Sequence, residues 1–259
     1  LRAQHAVFSG KTHTVEFAFG GLGVNSHWGT PRNPWDANTH RVPGGSSSGA
    51  GVSLCEGTAL VALGSDTAGS VRIPASVTGN VGLKTSHGRW PVSGIFPLSP
   101  TLDTAGILTR SVADTVTAFS AIDPHQRSYG PRLAREIARC TPADFVIGTG
   151  EPALWDDCDH GISETVDEAL RVLGRAGVQT VSAALPEAAP AIELLKVGSV
   201  VAAEIDEMLS STAPQWRETL DPVVSSRIRE GGSISASEYL HRRRRLRELS
   251  RSAAEQFSS

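Results

Sequence analysis

The sequence predicts an α/β fold in which helices pack on a β-sheet, and three observations predict it. Apolar runs at 145–148 and 178–181 flank an amphipathic helical pattern at 163–176, a β-α-β alternation. Short apolar runs at 59–63 and 81–84 flank a second helical stretch at 70–77. With 259 residues and 39% hydrophobic content, the chain has enough apolar surface for a sizeable core, as one large domain or two smaller ones.

Taken in order, residues 6–9 read as a short strand closed by Gly10, and residues 14–19 as the start of a short helix. Residues 20–43 are loop-like, rich in Gly, Asn, Pro and Trp, and a loop of that length is uncommon unless it shapes a site. A helix is expected over 49–56, with its N-terminal N–H groups directed at the preceding serines. After the 59–63 strand, the 70–77 helix carries Pro74 in its early turns. Strands follow at 81–84 and 107–109, then a helix at 112–122 begun near Ser111. The stretch 124–142 reads as a polar, irregular seam. Beyond the 145–181 alternation, long helices are expected over 189–209 and 236–256. Arg242, Arg243, Arg244, Arg245, Arg247 and Arg251 form a basic run on the last of these, read as a solvated or ion-paired helix face.

Bulk properties exclude several classes. A formal net charge of −3 calls for neither a nucleic-acid nor a membrane partner. Lys196 divides the most apolar stretch, which stays short of the roughly 18 residues that a span requires. Three dispersed cysteines, with no CxxC, read as reduced thiols of a cytoplasmic protein. The eight histidines include no HxxxH pair, so no metal site is expected. Both termini fall in helical sequence without stop signals, so the chain is expected to be a piece of a longer one.

Chemistry concentrates in residues 44–70, GGSSSGAGVSLCEGTALVALGSDTAGS. Two serines on glycine-rich turns, Ser46 and Ser70, lie 24 residues apart, and glycine lets backbone come close to a substrate. Residues 65–70 supply small side chains whose consecutive N–H groups can converge on an oxyanion. Other serine and phosphate motifs fail here. Gly10-Lys11-Thr12 lacks the first glycine of a P-loop. None of Lys11, Lys84 and Lys196 is preceded by serine at the SxxK spacing. Gly45-Ser46-Ser47-Ser48-Gly49 fits G-x-S-x-G, but it follows no buried strand as a nucleophile elbow must.

GGSSSGAG, then ALGSDTAGSVRIPASVTGNVGLK, then SPTLDTAGILTRSVAD, resembles the amidase signature family of serine hydrolases. The flanking GKTHTVEFAFGGLGVNSHWGTPRNPWD and DPVVSSRIREGGSISASEYL extend the resemblance over nearly the whole chain. It implies a mixed β-sheet flanked by helices on both faces, here incomplete at both ends. Residues 1–259 would form part of one such domain, with the catalytic serines in 1–123 and its remainder in 144–259. The reaction implied is hydrolysis or transfer at a carboxamide through an acyl-enzyme.

By the same resemblance Ser70 matches the nucleophile and Ser46 the bridging serine, whose preceding peptide bond is cis. The N–H groups of Thr67, Ala68, Gly69 and Ser70 match the oxyanion hole, with Ala68 where glycine is usual. Ser47 supports the serines, and Asp66 and Arg72 pair to brace the turn. The family's lysine base lies further upstream of the bridging serine than this chain reaches, and neither Lys11 nor Lys84 matches it. The chain alone is therefore expected to be catalytically deficient and poorly soluble. No cofactor is implied. The partners implied are a small-molecule amide and either a second copy in a homodimer or the subunits of a tRNA-dependent amidotransferase. A non-catalytic module is the remaining alternative.

Overall fold

A computed structural model describes residues 2–125, 132–156, 158–196 and 200–257. In chain order the main elements begin with Ser48–Cys55 (α1), Val61–Asp66 (β1), Arg72–Thr78 (α2) and Val81–Lys84 (β2). Thr104–Thr109 (β3), Val112–Ile122 (α3), Arg132–Ile137 (α4) and Val146–Thr149 (β4) follow. Next come Pro152–Trp155 (α5), Ile162–Arg175 (α6), Gln179–Ser182 (β5) and Ala188–Lys196 (α7). Val200–Thr212 (α8), Pro222–Gly231 (α9) and Ala236–Gln256 (α10) complete the chain. None of the described helices is long and apolar enough to cross a membrane.

Two compact units divide these elements. Residues 1–134 and 200–234 form the first, and residues 135–199 and 235–259 the second. Among the described residues each unit holds one small sheet, and the mixed α/β fold expected from the sequence is present. In the first unit β3 lies between β1 and β2, antiparallel to both, with Leu108 opposite Ala62 and Gly82. In the second, β4 and β5 pair in parallel around the crossover helix α6, the β-α-β unit read from the sequence.

The central strand shows why helices cover both faces of the first sheet. Successive strand residues point to opposite faces. Leu108 is buried with Ala50 and Leu54 of α1 and with Val71 and Ala75 at α2. Its neighbour Ile107 is buried on the other side with Trp90 and Ala118 of α3. A separate cluster joins Val201, Ile205 and Leu209 of α8 to Val224 and Ile228 of α9 and to Leu98. In the second unit Glu187 accepts hydrogen bonds from Ser252 Oγ and Gln256 Nε2, tying the last turns of α10 to the chain just before α7.

Helices α3 and α10 and strand β2 have the expected bounds, and the Ser111 hydroxyl caps α3 by accepting the Asp114 N–H. Other expectations need correction. Residues 6–9 form no strand; they are exposed and have no ladder partner, without which a short apolar run gains nothing from extension. The 59–63 strand lies later, at Val61–Asp66, because pairing with β3 decides its extent. That partner is itself longer than 107–109. The single helix expected over 189–209 is two helices, α7 and α8, with residues 197–199 outside the described residues. The 124–142 seam contains α4, while 126–131 lies outside the described residues. Helix α9 is an addition to the expected elements, although Asp221-Pro222 is a cap followed by a first-turn proline: Asp221 Oδ1 accepts the N–H groups of Val223 and Val224.

Candidate active site

Both serine turns belong to the first unit and meet beside the edge of its sheet. Ser46 precedes α1, 1% exposed, and the Gly45–Ser46 peptide bond is cis. Its carbonyl oxygen accepts the Val15 N–H at 3.0 Å and the Thr14 hydroxyl at 2.9 Å. The Ser46 Oγ, by contrast, is buried and has no hydrogen-bond partner among the described residues. Buried hydroxyls are nearly always partnered, so an unpartnered one calls for an explanation. The following helix can begin this close to residues 11–14 because residue 49 is glycine. A Cβ there would lie 2.4 Å from the His13 N.

The second turn leaves β1 at Asp66 and enters α2 at Arg72. The Asp66 carboxylate is fully buried and is the turn's anchor. Its Oδ1 accepts the Gly69 N–H at 2.8 Å and its Oδ2 the Val71 N–H at 3.1 Å. Arg72 adds a fork, Nη2 to Oδ1 at 2.9 Å and Nε to Oδ2 at 3.1 Å. Burial acts to raise the Asp66 pKa, but the Arg72 guanidinium and the two N–H donors outweigh it and hold the carboxyl below its ordinary range. Gly69 has φ of +128°, a conformation that side chains disfavour. Ala68 does not; among the described non-glycine residues only His5, Phe17 and Ala18 have positive φ. Alanine in the usual glycine's place is therefore accommodated.

The two turns are joined through backbone. The Ser47 N–H donates to the Ser70 carbonyl oxygen at 3.2 Å, and Ser47 Oγ lies 3.5 Å from the Ser65 carbonyl oxygen. Ser70 itself is half-buried. The N–H groups of Thr67, Ala68 and Ser70 have no partner among the described residues. The Gly69 N–H, by contrast, donates to Asp66 Oδ1.

None of the three lysines has a hydrogen bond to Ser46 or Ser70 among the described residues. Lys84 Nζ donates to the Thr85 carbonyl oxygen at 2.8 Å, and Lys196, in the second unit, pairs with Glu193. Lys11 lines a cavity of about 1040 Å³ with His13, Glu16, Phe17, His27, Trp28 and Trp216. That cavity shares Thr14 and Val15 with the wall that holds the Ser46 carbonyl. Phe17 packs there against Phe96 and Trp216, with ring centroids 5.2 and 5.9 Å apart.

Sequence reasoning misses Asp103, 5% exposed, whose Oδ1 accepts the Thr67 hydroxyl at 2.5 Å. The signal is present, an aspartate inside the SPTLDTAG stretch, but nothing in the sequence says which turn it faces.

An amidase family model matches residues 1–259. The chain is 49% identical over 257 residues to 2-amino-5-chloromuconic acid deaminase of Comamonas testosteroni, covering 99% of this chain and 54% of that protein. It is 37% identical to a glutamyl-tRNA(Gln) amidotransferase subunit of Persephonella marina, covering 74% of this chain and 41% of that one. Among solved structures, an amidase crystal structure superposes with a TM-score of 0.77 at 28% identity, over 93% of this chain and 52% of its own. The chain thus spans about half the length of the relatives it matches. The long motif around Ser46 and Ser70, the helix-covered sheet and these matches agree: the chain belongs to the amidase family.

Proposed function

We propose that the protein containing this chain hydrolyses a small carboxamide, with Ser70 as nucleophile and Ser46 as proton relay. The observation that carries the reading is the buried Ser46 hydroxyl, without a partner among the described residues, one peptide unit from the Ser47 N–H that is bonded to Ser70. A serine hydroxyl attacks poorly until a neighbour accepts its proton. In the proposed relay Ser46 Oγ takes the Ser70 proton and gives its own to a neutral lysine outside these residues. Such a lysine must sit well below its ordinary pKa of ~10.4 to act as a base.

Ser70 Oγ bonds to the amide carbon, and the negative charge that develops on the carbonyl oxygen is met by the N–H groups of Thr67, Ala68 and Ser70. Collapse of the adduct breaks the C–N bond, and Ser46 returns a proton to the leaving nitrogen. Water then adds to the acyl-serine and releases the carboxylate, while Ser70 regains its proton. Each hole donor is worth about 3–4 kcal/mol in such a transition state. No metal or other cofactor enters these steps.

The 49% relative is a deaminase by name, which supports ammonia as the group released. Cys55, Cys140 and Cys158 are free thiols, which supports a cytoplasmic setting. The amidotransferase relatives favour a second reading with the same chemistry, in which the ammonia passes to other subunits of a complex. Ammonia release from a panel of small amides by the full-length protein, with and without Ser70→Ala, tests the first reading. No release with any amide, together with co-purifying subunits that restore glutaminase activity, would replace it with the second.

A further inference from the structure

Of the four hole donors expected from the sequence, Gly69 donates to Asp66, and something must hold Thr67, Ala68 and Ser70 in place. Asp66 anchors the turn at Gly69 and Val71, downstream of Thr67 and Ala68. The upstream side is held from β3. Thr104 Oγ1 donates to the Asp66 carbonyl oxygen at 2.6 Å. The preceding residue, Asp103, places Oδ1 on the Thr67 hydroxyl, while its Oδ2 accepts the N–H groups of Leu98 and Ser99, both at 3.0 Å. Glu204 of α8 holds the same 98–103 loop from below, accepting Ser99 Oγ at 2.6 Å and the Thr101 N–H at 3.1 Å.

We infer that Asp103 is a positioning residue for the oxyanion turn: through the Thr67 hydroxyl it orients the peptide units on either side of Thr67, so that the Thr67 and Ala68 N–H groups face the developing charge. This rests on Ser70 being the nucleophile. Threonine suits the role because a β-branched side chain is stiff at χ1, so fixing Oγ1 fixes the adjoining backbone. The bond is charge-assisted and short, hence directional. Stability alone does not account for the aspartate. Burial, with the charge of Glu204 adding to it, pushes the Asp103 carboxyl up despite its three donors, so keeping it ionised there costs free energy.

The test uses the full-length protein and measures kcat, KM and melting temperature for Thr67→Val, Thr67→Ser, Asp103→Asn and the Thr67→Val/Asp103→Asn double variant. Thr67→Val should lower kcat about tenfold or more with KM nearly unchanged, the pattern of an interaction made in the transition state. Thr67→Ser should recover most of it. The double variant should be no slower than the slower single, since both changes act on the same bond, Thr67→Val by removing its donor and Asp103→Asn by removing its charge. Wild-type kcat in Thr67→Val, or losses that multiply in the double variant, would overturn the inference. Should Thr67→Val not fold, Thr67→Ala, which also removes the hydroxyl, decides: a fall in kcat at unchanged melting temperature supports the role, and an unchanged kcat ends it. Ser70→Ala is run alongside. If it turns over like wild type, the nucleophile assignment has failed; if it is dead while Thr67→Val is fully active, only the positioning role has failed.

Discussion

Ser47 donates its N–H to the Ser70 carbonyl oxygen at 3.2 Å, so the two serine turns are registered to each other by main chain rather than by side chains. Substituting either hydroxyl should leave that register intact. Ser70→Ala in the full-length protein is expected to lower kcat at least about a thousandfold and to abolish labelling by a fluorophosphonate. Ser46→Ala should slow labelling strongly without moving the melting temperature by more than a few degrees. Full labelling of Ser70→Ala would show that another residue is the nucleophile.

Substitutions at positions 68 and 69 should differ in cost. Gly69 has φ of +128°, and a Cβ there would meet Ile73 Cδ1 at 2.7 Å. Gly69→Ala is expected to cost about 1–3 kcal/mol, read from denaturant unfolding. Ala68→Gly, at an exposed position without positive φ, should cost about 1 kcal/mol or less. Equal costs would mean that the turn relaxes around a side chain at position 69.

Asp66 makes a pH prediction. Its folded-state pKa lies below the ordinary 3.8 because the Arg72 fork and the N–H donors outweigh burial. A depressed carboxyl contributes stability above its unfolded pKa and loses it as pH falls through the folded value. Asp66→Asn should therefore be less stable than wild type by about 1–3 kcal/mol near neutral pH, a range reduced because Arg72 is half exposed. The gap in melting temperature should narrow as pH drops below about 4. A gap that widens with acid would contradict the assigned direction.

Leu108 and Ile107 are fully buried on opposite faces of β3. Leu108→Ala and Ile107→Ala are each expected to cost about 2–5 kcal/mol by unfolding measurements. A negligible cost at either position would show that its helical layer is not packed against the sheet.

Much of this is legible in the chain. Strand β2 and helices α3 and α10 can be bounded from apolar period and caps such as Ser111, because those signals are local. Helix α9 is signalled by Asp221-Pro222, a cap that is easily overlooked in a polar stretch. The 6–9 stretch misleads because apolar residues in a row look alike whether or not a partner strand exists.

The sequence by itself determined the family, the positions of Ser46 and Ser70, and the small residues that let the 66–70 turn form. These are statements about residue type and spacing, which a linear string carries in full. Only the tertiary structure decided that Gly69 spends its N–H on Asp66, that Ala68 sits without strain, and that Asp103 reaches Thr67. A hydrogen-bond donor has one proton to give, and its recipient is set by which groups folding brings within about 3 Å.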